Sequence, residues 1–173
     1  LYGEERKARA IARAIGRVRG DMEISRTLEL ADIVSQTIGQ PAGLQKIHPA
    51  TRTFQALRIY VNDELGELVR GLAAAENMLG DGGRLAVVTF HSLEDRITKK
   101  FLAHRTGRAG RPSRHMPEMH PPAPSFTELT RKGTKATEDE TSHNPRSRSA
   151  RLRAARRTGA PAFALGDVLF KAP

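Results

Sequence analysis

The stretch "GGRLAVVTFHSLEDRITKKF", Gly82 to Phe101, decides the fold class because two periodicities meet inside it. From Arg84 to Phe90 the residues are almost all apolar or β-branched, a pattern typical of a strand covered on both faces of a parallel sheet. From Ser92 the apolar residues follow helical spacing, and Ser92 and Asp95 are spaced like the polar residues of a capping box. The stretch therefore predicts an α/β fold in which a buried strand leads directly into a helix.

Two amphipathic helices are predicted near the start of the chain. The first covers Glu4 to Arg19 and has a basic exterior. The second covers Ser25 to Ile38, turns Leu28 inward and ends at Gly39, since glycine commonly follows the last helical residue.

A third helix is predicted to run without interruption from Ala50 to Leu79, because its apolar residues keep helical spacing throughout. We expect it to bend at Gly66 and Gly71. A polar stripe lies directly beside the apolar seam and comprises Thr51, Gln55, Arg58 and Asn62. The stripe is either the wall of a pocket, where Arg58 would fork to a carboxylate or phosphate, or an ordinary solvated flank.

After the helix that begins at Ser92, the sequence predicts shorter elements. Residues 105–126 are rich in proline and arginine, which predicts a flexible basic loop. "FTELTRK" (126–132) predicts a short strand, Glu138 to Ser142 a helical turn, and "SARLRAARR" (149–157) an edge strand.

Composition limits the function classes. The net charge is +10 with a pI near 10.8, which favours polyanionic partners, nucleic acid first and an anionic membrane surface second. The absence of cysteine excludes disulfides, thiol nucleophiles and thiolate metal sites, and it fits a reducing cytoplasm. No apolar run approaches the roughly 20 residues of a membrane span.

The first candidate site is the junction Phe90 to Arg96, because ligands of open α/β sheets bind outside the carboxyl ends of strands. The alternative is local structure, in which Ser92 only caps the helix and His91 packs nearby. A serine hydrolase fits less well, since adjacent side chains diverge at a strand end and the G-x-S-x-G elbow is missing.

The second candidate is "NPRSRSARLRAARR", 144–157, whose arginines and serines suit phosphate oxygens. The alternative is a solvated basic edge strand. No metal site is predicted, because the three histidines near the flexible loop lack carboxylate or cysteine neighbours; they are His104, His115 and His120.

Four long segments occur in a fixed order: "YGEERKARAIARAI" (2–15), "IHPATRTFQALRIYVNDEL" (47–65), "GGRLAVVTFHSLEDRITKKF" (82–101) and "NPRSRSARLR" (144–153). Together they resemble the MraW/RsmH family of bacterial methyltransferases, which modify the exocyclic N4 of a decoding-site cytidine in 16S ribosomal RNA. The resemblance implies an S-adenosylmethionine-dependent, Rossmann-like methyltransferase that is interrupted by a helical, RNA-recognising domain.

By this resemblance, residues 1–46 correspond to the inserted all-α domain, residues 47–157 to the C-terminal part of the methyltransferase domain, and residues 158–173 to a tail. The glycine-rich cofactor loop and the first strands of the sheet are expected before the insert, so the main S-adenosylmethionine site is expected outside this chain. We therefore expect the chain alone to be inactive. An exposed sheet edge, which Arg84 to Phe90 would provide, is expected to cause association or homodimerisation.

The resemblance also implies roles for individual residues. His91, Ser92 and Asn144 would form the catalytic pocket, and Arg58 and Asn62 would brace a wall near the cofactor. RNA contacts are expected from four arginines, Arg146, Arg148, Arg151 and Arg153. The expected partner is 16S rRNA in the small ribosomal subunit, in the cytoplasm. The alternative function is a non-catalytic RNA-binding or ribosome-assembly module, which the basic composition favours equally.

Overall fold

A computed structural model describes residues 2, 4–39, 47–108 and 122–164, and the chain forms two compact units, 1–64 and 65–173. The first unit contains α1 (Ala8–Asp21), α2 (Thr27–Ile38) and α3 (Thr51–Val61). Its buried core consists of Ile11, Ala31, Val34 and Ala50. The domain boundary near residue 46 stays a prediction. Along the chain, the first compact unit ends at Glu64 and the second begins at Leu65.

The end of α2 confirms the predicted stop. Gly39 adopts φ 72°, and its N–H donates to the carbonyls of Ser35 and Gln36, as in many helix C-termini. The inward orientation predicted for Leu28 is wrong, because this side chain is 74% exposed.

The uninterrupted helix predicted from Ala50 to Leu79 is wrong. α3 ends at Val61 and α4 spans Glu64–Met78, with Asp63 at φ 47° between them. Aspartate is one of the few non-glycine residues that tolerate this left-handed conformation, so the break falls there and not at Gly66 or Gly71. The predicted apolar seam also fails in α3, where Val61 is 77% exposed and Ile59 is buried instead.

The second unit begins with α4 and is built on a four-stranded antiparallel sheet. Its elements in chain order are β1 (Arg84–Thr89), α5 (Ser92–Arg105), β2 (Phe126–Glu128), β3 (Thr134–Lys135), α6 (Glu138–His143), the 3-10 helix η1 (Pro145–Ser149) and β4 (Arg151–Arg157). The strand order is β1-β4-β2, and β3 also pairs with β4. β1, β2, β4, α5 and the helical turn at α6 confirm predicted elements, whereas β3 was not predicted. Because β4 is central in the sheet, its assignment as an edge strand is wrong.

One face of this sheet packs on α4 and α5. Leu72, Phe101, Leu102, Phe126 and Ala155 form the core, which Leu85 and Val87 of β1 partly cover. The opposite face of β1 is exposed, and Val88 on it is 54% accessible. The expectation of a strand covered on both faces is therefore wrong for the described residues. Among the described strands, β1 has β4 as its only neighbour, so it does present an open edge.

Two arginines of β4 are buried by partners that are remote in sequence. Arg157 Nε donates to the Glu76 carbonyl at 2.9 Å, and its Nη1 donates to the Ser125 carbonyl at 3.0 Å. Arg153 is 4% exposed. The alternative of a solvated basic edge strand is therefore wrong, because a buried guanidinium requires partners and these have them.

A buried ion pair joins α4 and α5. Arg105 Nε on α5 donates to Glu76 Oε2 on α4 at 2.8 Å, and both side chains are at most 1% exposed. The Phe163 N–H donates to Glu76 Oε1 at 3.2 Å, which anchors the described start of the C-terminal tail.

Several sequence expectations fall on residues outside the described part of the chain. His115, His120 and most of the predicted flexible loop, residues 109–121, are among them. Within the described part, no helix combines the length and the apolar character that crossing a membrane requires.

Candidate functional site

A cavity of about 410 Å³ opens where β1 ends and α5 begins. The junction residues that line it are Phe90, His91, Ser92, Asp95 and Arg96. Lys99 from the next turn of α5, Ser149 from the end of η1 and Arg151 from the start of β4 complete the wall. The strand-end position singled out in the sequence thus coincides with a cavity of the size that small ligands occupy.

His91 and Glu94 cap α5 reciprocally. His91 Nδ1 accepts the Glu94 backbone N–H at 3.4 Å, and Glu94 Oε2 accepts the N–H groups of Phe90 at 2.8 Å and His91 at 3.2 Å. The capping box predicted for Ser92 and Asp95 is therefore wrong by one residue. Because Nδ1 accepts, the proton of a neutral ring resides on Nε2, which lies 3.1 Å from Glu94 Oε1. The reciprocal cap fixes the backbone of the strand end.

Asp95 is held by an arginine from the central strand. Arg153 donates to its two carboxylate oxygens from Nε at 2.8 Å and from Nη2 at 3.1 Å. This hydrogen bonding lowers the pKa of Asp95 against the opposing effect of partial burial, and the positive charges of Arg153, Arg151 and Lys99 lower it further. The Asp95 carboxylate on the cavity wall is therefore ionised, and the buried guanidinium of Arg153 balances its charge.

The rest of the wall is basic. Arg96, Lys99 and Arg151 contribute three cationic side chains, and Ser92 and Ser149 contribute hydroxyl groups. Such a set suits an anion, and a phosphate group in particular, because guanidinium and ammonium groups give charge-assisted hydrogen bonds to its oxygens. The wall is therefore suited to binding an anion.

The predicted site residues do not all meet at this cavity. Asn144 caps η1, where its Oδ1 accepts the Arg146 N–H at 3.2 Å. Arg146 and Arg148 lie exposed on η1. Arg153 is an internal ion-pair residue, so the expectation of an RNA contact does not fit its burial.

Arg58 and Asn62 belong to the first compact unit and surround Glu64. Arg58 donates from Nε at 2.6 Å and from Nη2 at 3.0 Å to the two Glu64 oxygens, and Asn62 Nδ2 donates to Oε1 at 3.4 Å. The predicted bidentate contact of Arg58 with a carboxylate is therefore present, and the carboxylate is that of Glu64.

Sequence reasoning missed Lys99 and Ser149. The signal for Lys99 was available, because Ser92, Asp95, Arg96 and Lys99 follow helical spacing and so share one face of α5. No local pattern could place Ser149 beside that face, since it lies on η1, far along the chain.

The loop that follows β1 does not fit the glycine-rich cofactor loop of a Rossmann-like fold. Nucleotide-like cofactors of Rossmann folds lie against a glycine-rich loop that follows a strand. The residues that follow β1 are Phe90, His91 and Ser92, with no glycine among them. The glycines of this region, Gly80, Gly82 and Gly83, precede β1.

Comparison with known proteins decides the family. Residues 1–158 match the profile of the MraW methylase family. The chain belongs to this family. The resemblance stated from the sequence is therefore confirmed.

Three similar proteins share one name. A Parvibaculum lavamentivorans protein named ribosomal RNA small subunit methyltransferase H is 62% identical over 165 residues, which is 95% of this chain and 48% of the relative. A Nitrobacter hamburgensis protein of the same name is 59% identical over 164 residues, covering 95% of the chain and 48% of the relative. One from Paramagnetospirillum magneticum is 57% identical over 164 residues, covering 94% and 51%. The chain spans about half the length of the curated relatives it matches.

Proposed function

We propose that the intact protein containing this chain is an S-adenosylmethionine-dependent methyltransferase that modifies the exocyclic N4 of a cytidine in 16S rRNA of the small ribosomal subunit. The observation that carries the proposal is the match to the MraW methylase family across residues 1–158. The relatives are named as small-subunit rRNA methyltransferases, and the net charge of +10 suits an RNA partner.

The chemistry assigns binding and positioning to this chain. The amino lone pair of cytosine is delocalised into the ring, so methyl transfer requires an in-line approach and an acceptor for the amine proton. The base must also be unpaired or flipped out of its stack. S-adenosylmethionine supplies the methyl group. We assign its main site to the part of the intact protein that corresponds to the half of the relatives outside the matched region.

Within this proposal the exposed arginines of η1, Arg146 and Arg148, and Arg151 on the cavity wall bind RNA phosphates. His91, Ser92 and Asn144 act as pocket-forming residues, the first and last through the caps that fix the strand end and η1. Arg58 and Asn62 stay assigned to a wall near the cofactor. Arg153 is assigned a structural role, because its guanidinium is buried on Asp95.

The chain alone is proposed to be inactive. Its described sheet has an open edge at β1, and the loop that follows this strand is not glycine-rich. We propose that in the intact protein this edge pairs with a strand from the remaining half, and that in the isolated chain it drives association.

A non-catalytic RNA-binding or ribosome-assembly module is the second candidate, and the basic cavity favours it because cationic side chains bind RNA phosphates without any catalytic step. The two are separated by incubating the intact protein with tritiated S-adenosylmethionine and small subunits that lack the modification. We expect methyl transfer to 16S rRNA by the intact protein and none by the 173-residue chain. RNA binding without transfer by the intact protein would favour the assembly module.

The isolated chain is tested separately by calorimetry. Titration with S-adenosylmethionine is expected to give no heat of binding. Micromolar affinity for the isolated chain would contradict the assignment of the main cofactor site to the other half.

A further inference from the structure

We propose that the cavity at the end of β1 binds one unpaired nucleotide of the RNA substrate, with its base stacked on Phe90 and its phosphate held by Lys99 and Arg151. This inference rests on the proposed function for the identity of the RNA, and it adds to that function a nucleotide contact through Phe90, Lys99 and Arg151, beside the pocket-forming residues His91 and Ser92.

Phe90 presents an exposed aromatic surface on a basic wall. It is 54% exposed although it directly follows the sheet, and it lines the cavity with the cations. Its backbone N–H donates to Glu94 Oε2 at 2.8 Å, so the cap of α5 fixes the backbone from which the ring projects. Aromatic rings beside cations are the usual platform for bases of single-stranded RNA.

Lys99 and Arg151 supply the phosphate contact. They approach the cavity from two different elements, α5 and β4, and no ion pair involves either of them in the part of the chain that the structure describes. The one acid on the wall, Asp95, is forked by Arg153 from behind. The wall therefore has a net positive charge that is not cancelled within the site.

The same geometry specifies an unpaired nucleotide. A base inside a duplex is stacked on both faces and cannot reach the Phe90 ring, whereas a looped or flipped base can. Because Asp95 is already bound by Arg153, it does not hydrogen-bond to the edge of a base. Recognition therefore depends on contacts with the face of the base and with its phosphate. We therefore expect weak dependence on base identity.

Fluorescence anisotropy of the 173-residue chain with a labelled single-stranded RNA hexamer tests the subsite. Phe90→Leu keeps an apolar side chain but removes the ring, and it should weaken binding about tenfold, whereas Phe90→Tyr should restore it. Leu129→Ala is the matched control, because Leu129 is 51% exposed but does not line the cavity. Equal affinities for Phe90→Leu and Leu129→Ala would overturn the stacking contact.

The phosphate contact is tested through salt dependence. Lys99→Gln and Arg151→Gln should each weaken binding and reduce the slope of log affinity against log salt by about 0.7, while the exposed neighbour Lys100→Gln should change it less. An abasic hexamer should bind about tenfold more weakly than the normal hexamer. Equal affinities for the normal and abasic hexamers would overturn the proposal. Inorganic phosphate that competes with an affinity equal to that of the hexamer would also overturn it, because the cavity would then bind only an anion.

Failure of the subsite and failure of the proposed function give different results. If the intact protein methylates 16S rRNA while Phe90→Leu changes neither hexamer binding nor the KM for the small subunit, the subsite is wrong and the function stands. If hexamer binding depends on Phe90 while the intact protein transfers no methyl group, the subsite stands and the function is wrong.

Discussion

The ion pair between Glu76 and Arg105 is expected to be the most destabilising single contact to break in the second unit. Glu76→Ala removes the carboxylate that accepts from Arg105 Nε at 2.8 Å, from Ser125 Oγ and from the Phe163 N–H at 3.2 Å. It leaves a cation that is 1% exposed without its counter-charge. Breaking one side of a buried pair costs about 3–5 kcal/mol, and the rings of Phe101 and Phe163, 4.8 and 4.9 Å from the guanidinium, compensate only in part.

The assay is urea unfolding of the 173-residue chain, followed by far-ultraviolet circular dichroism. Glu67→Ala is the matched control in the same helix, because Glu67 pairs with Arg70 at 2.8 Å on the surface and should cost less than about 0.5 kcal/mol. The double variant Glu76→Met/Arg105→Met should be more stable than Glu76→Ala, since it leaves no unpaired charge. A difference of under about 1 kcal/mol between Glu76→Ala and Glu67→Ala would refute the reasoning.

Three further predictions concern the caps, the strand-end acid and the arginines of η1. Gly39→Ala should destabilise the chain by about 1 kcal/mol, because Gly39 has φ 72°, whereas Gly16→Ala inside α1 should stabilise it by about 0.5–1 kcal/mol. Urea midpoints measure both variants, and changes in stability of the same sign would contradict this prediction. Asp95→Asn should cost about 2 kcal/mol at neutral pH, and since the folded pKa of Asp95 is lowered, this difference should shrink as the pH falls below about 4. Urea titrations of both proteins between about pH 6 and pH 3 check this, and a difference that stays constant would show that the charge is not involved. Arg146→Gln/Arg148→Gln should weaken RNA binding and flatten its salt dependence in anisotropy titrations, and an unaltered slope would assign both arginines a structural role.

The sequence predicted the elements whose periodicity is local. The run from Arg84 to Phe90 and the helical spacing after Ser92 identified β1 and α5, and the position of their junction located the cavity. The glycine at position 39 identified the end of α2. In each instance the information lies within one or two turns of the chain.

The break at Asp63 could not be predicted from periodicity, because the apolar spacing continues across it. A helical pattern records which side chains share a face and does not record the φ angle of one polar residue. Val61 is exposed and Ile59 is buried, and the apolar spacing of the sequence does not distinguish the two.

The arginines of β4 were misread for a related reason. Charged residues in a strand usually indicate a solvent face, but Arg153 and Arg157 have partners that lie 58 and 81 residues away in sequence. Only the folded topology, with β4 at the centre of the sheet, brings them to Asp95 and the Glu76 carbonyl. The same topology brings Ser149 and Arg151 to the cavity at the end of β1.

The measurement that tests the central claim most directly is mass spectrometry of nucleosides from 16S rRNA after unmodified small subunits react with the intact protein and S-adenosylmethionine. The proposed function predicts N4-methylcytidine among these nucleosides, absent when the 173-residue chain replaces the intact protein. Unmodified cytidine, or a methyl group on another base or another atom, would contradict it.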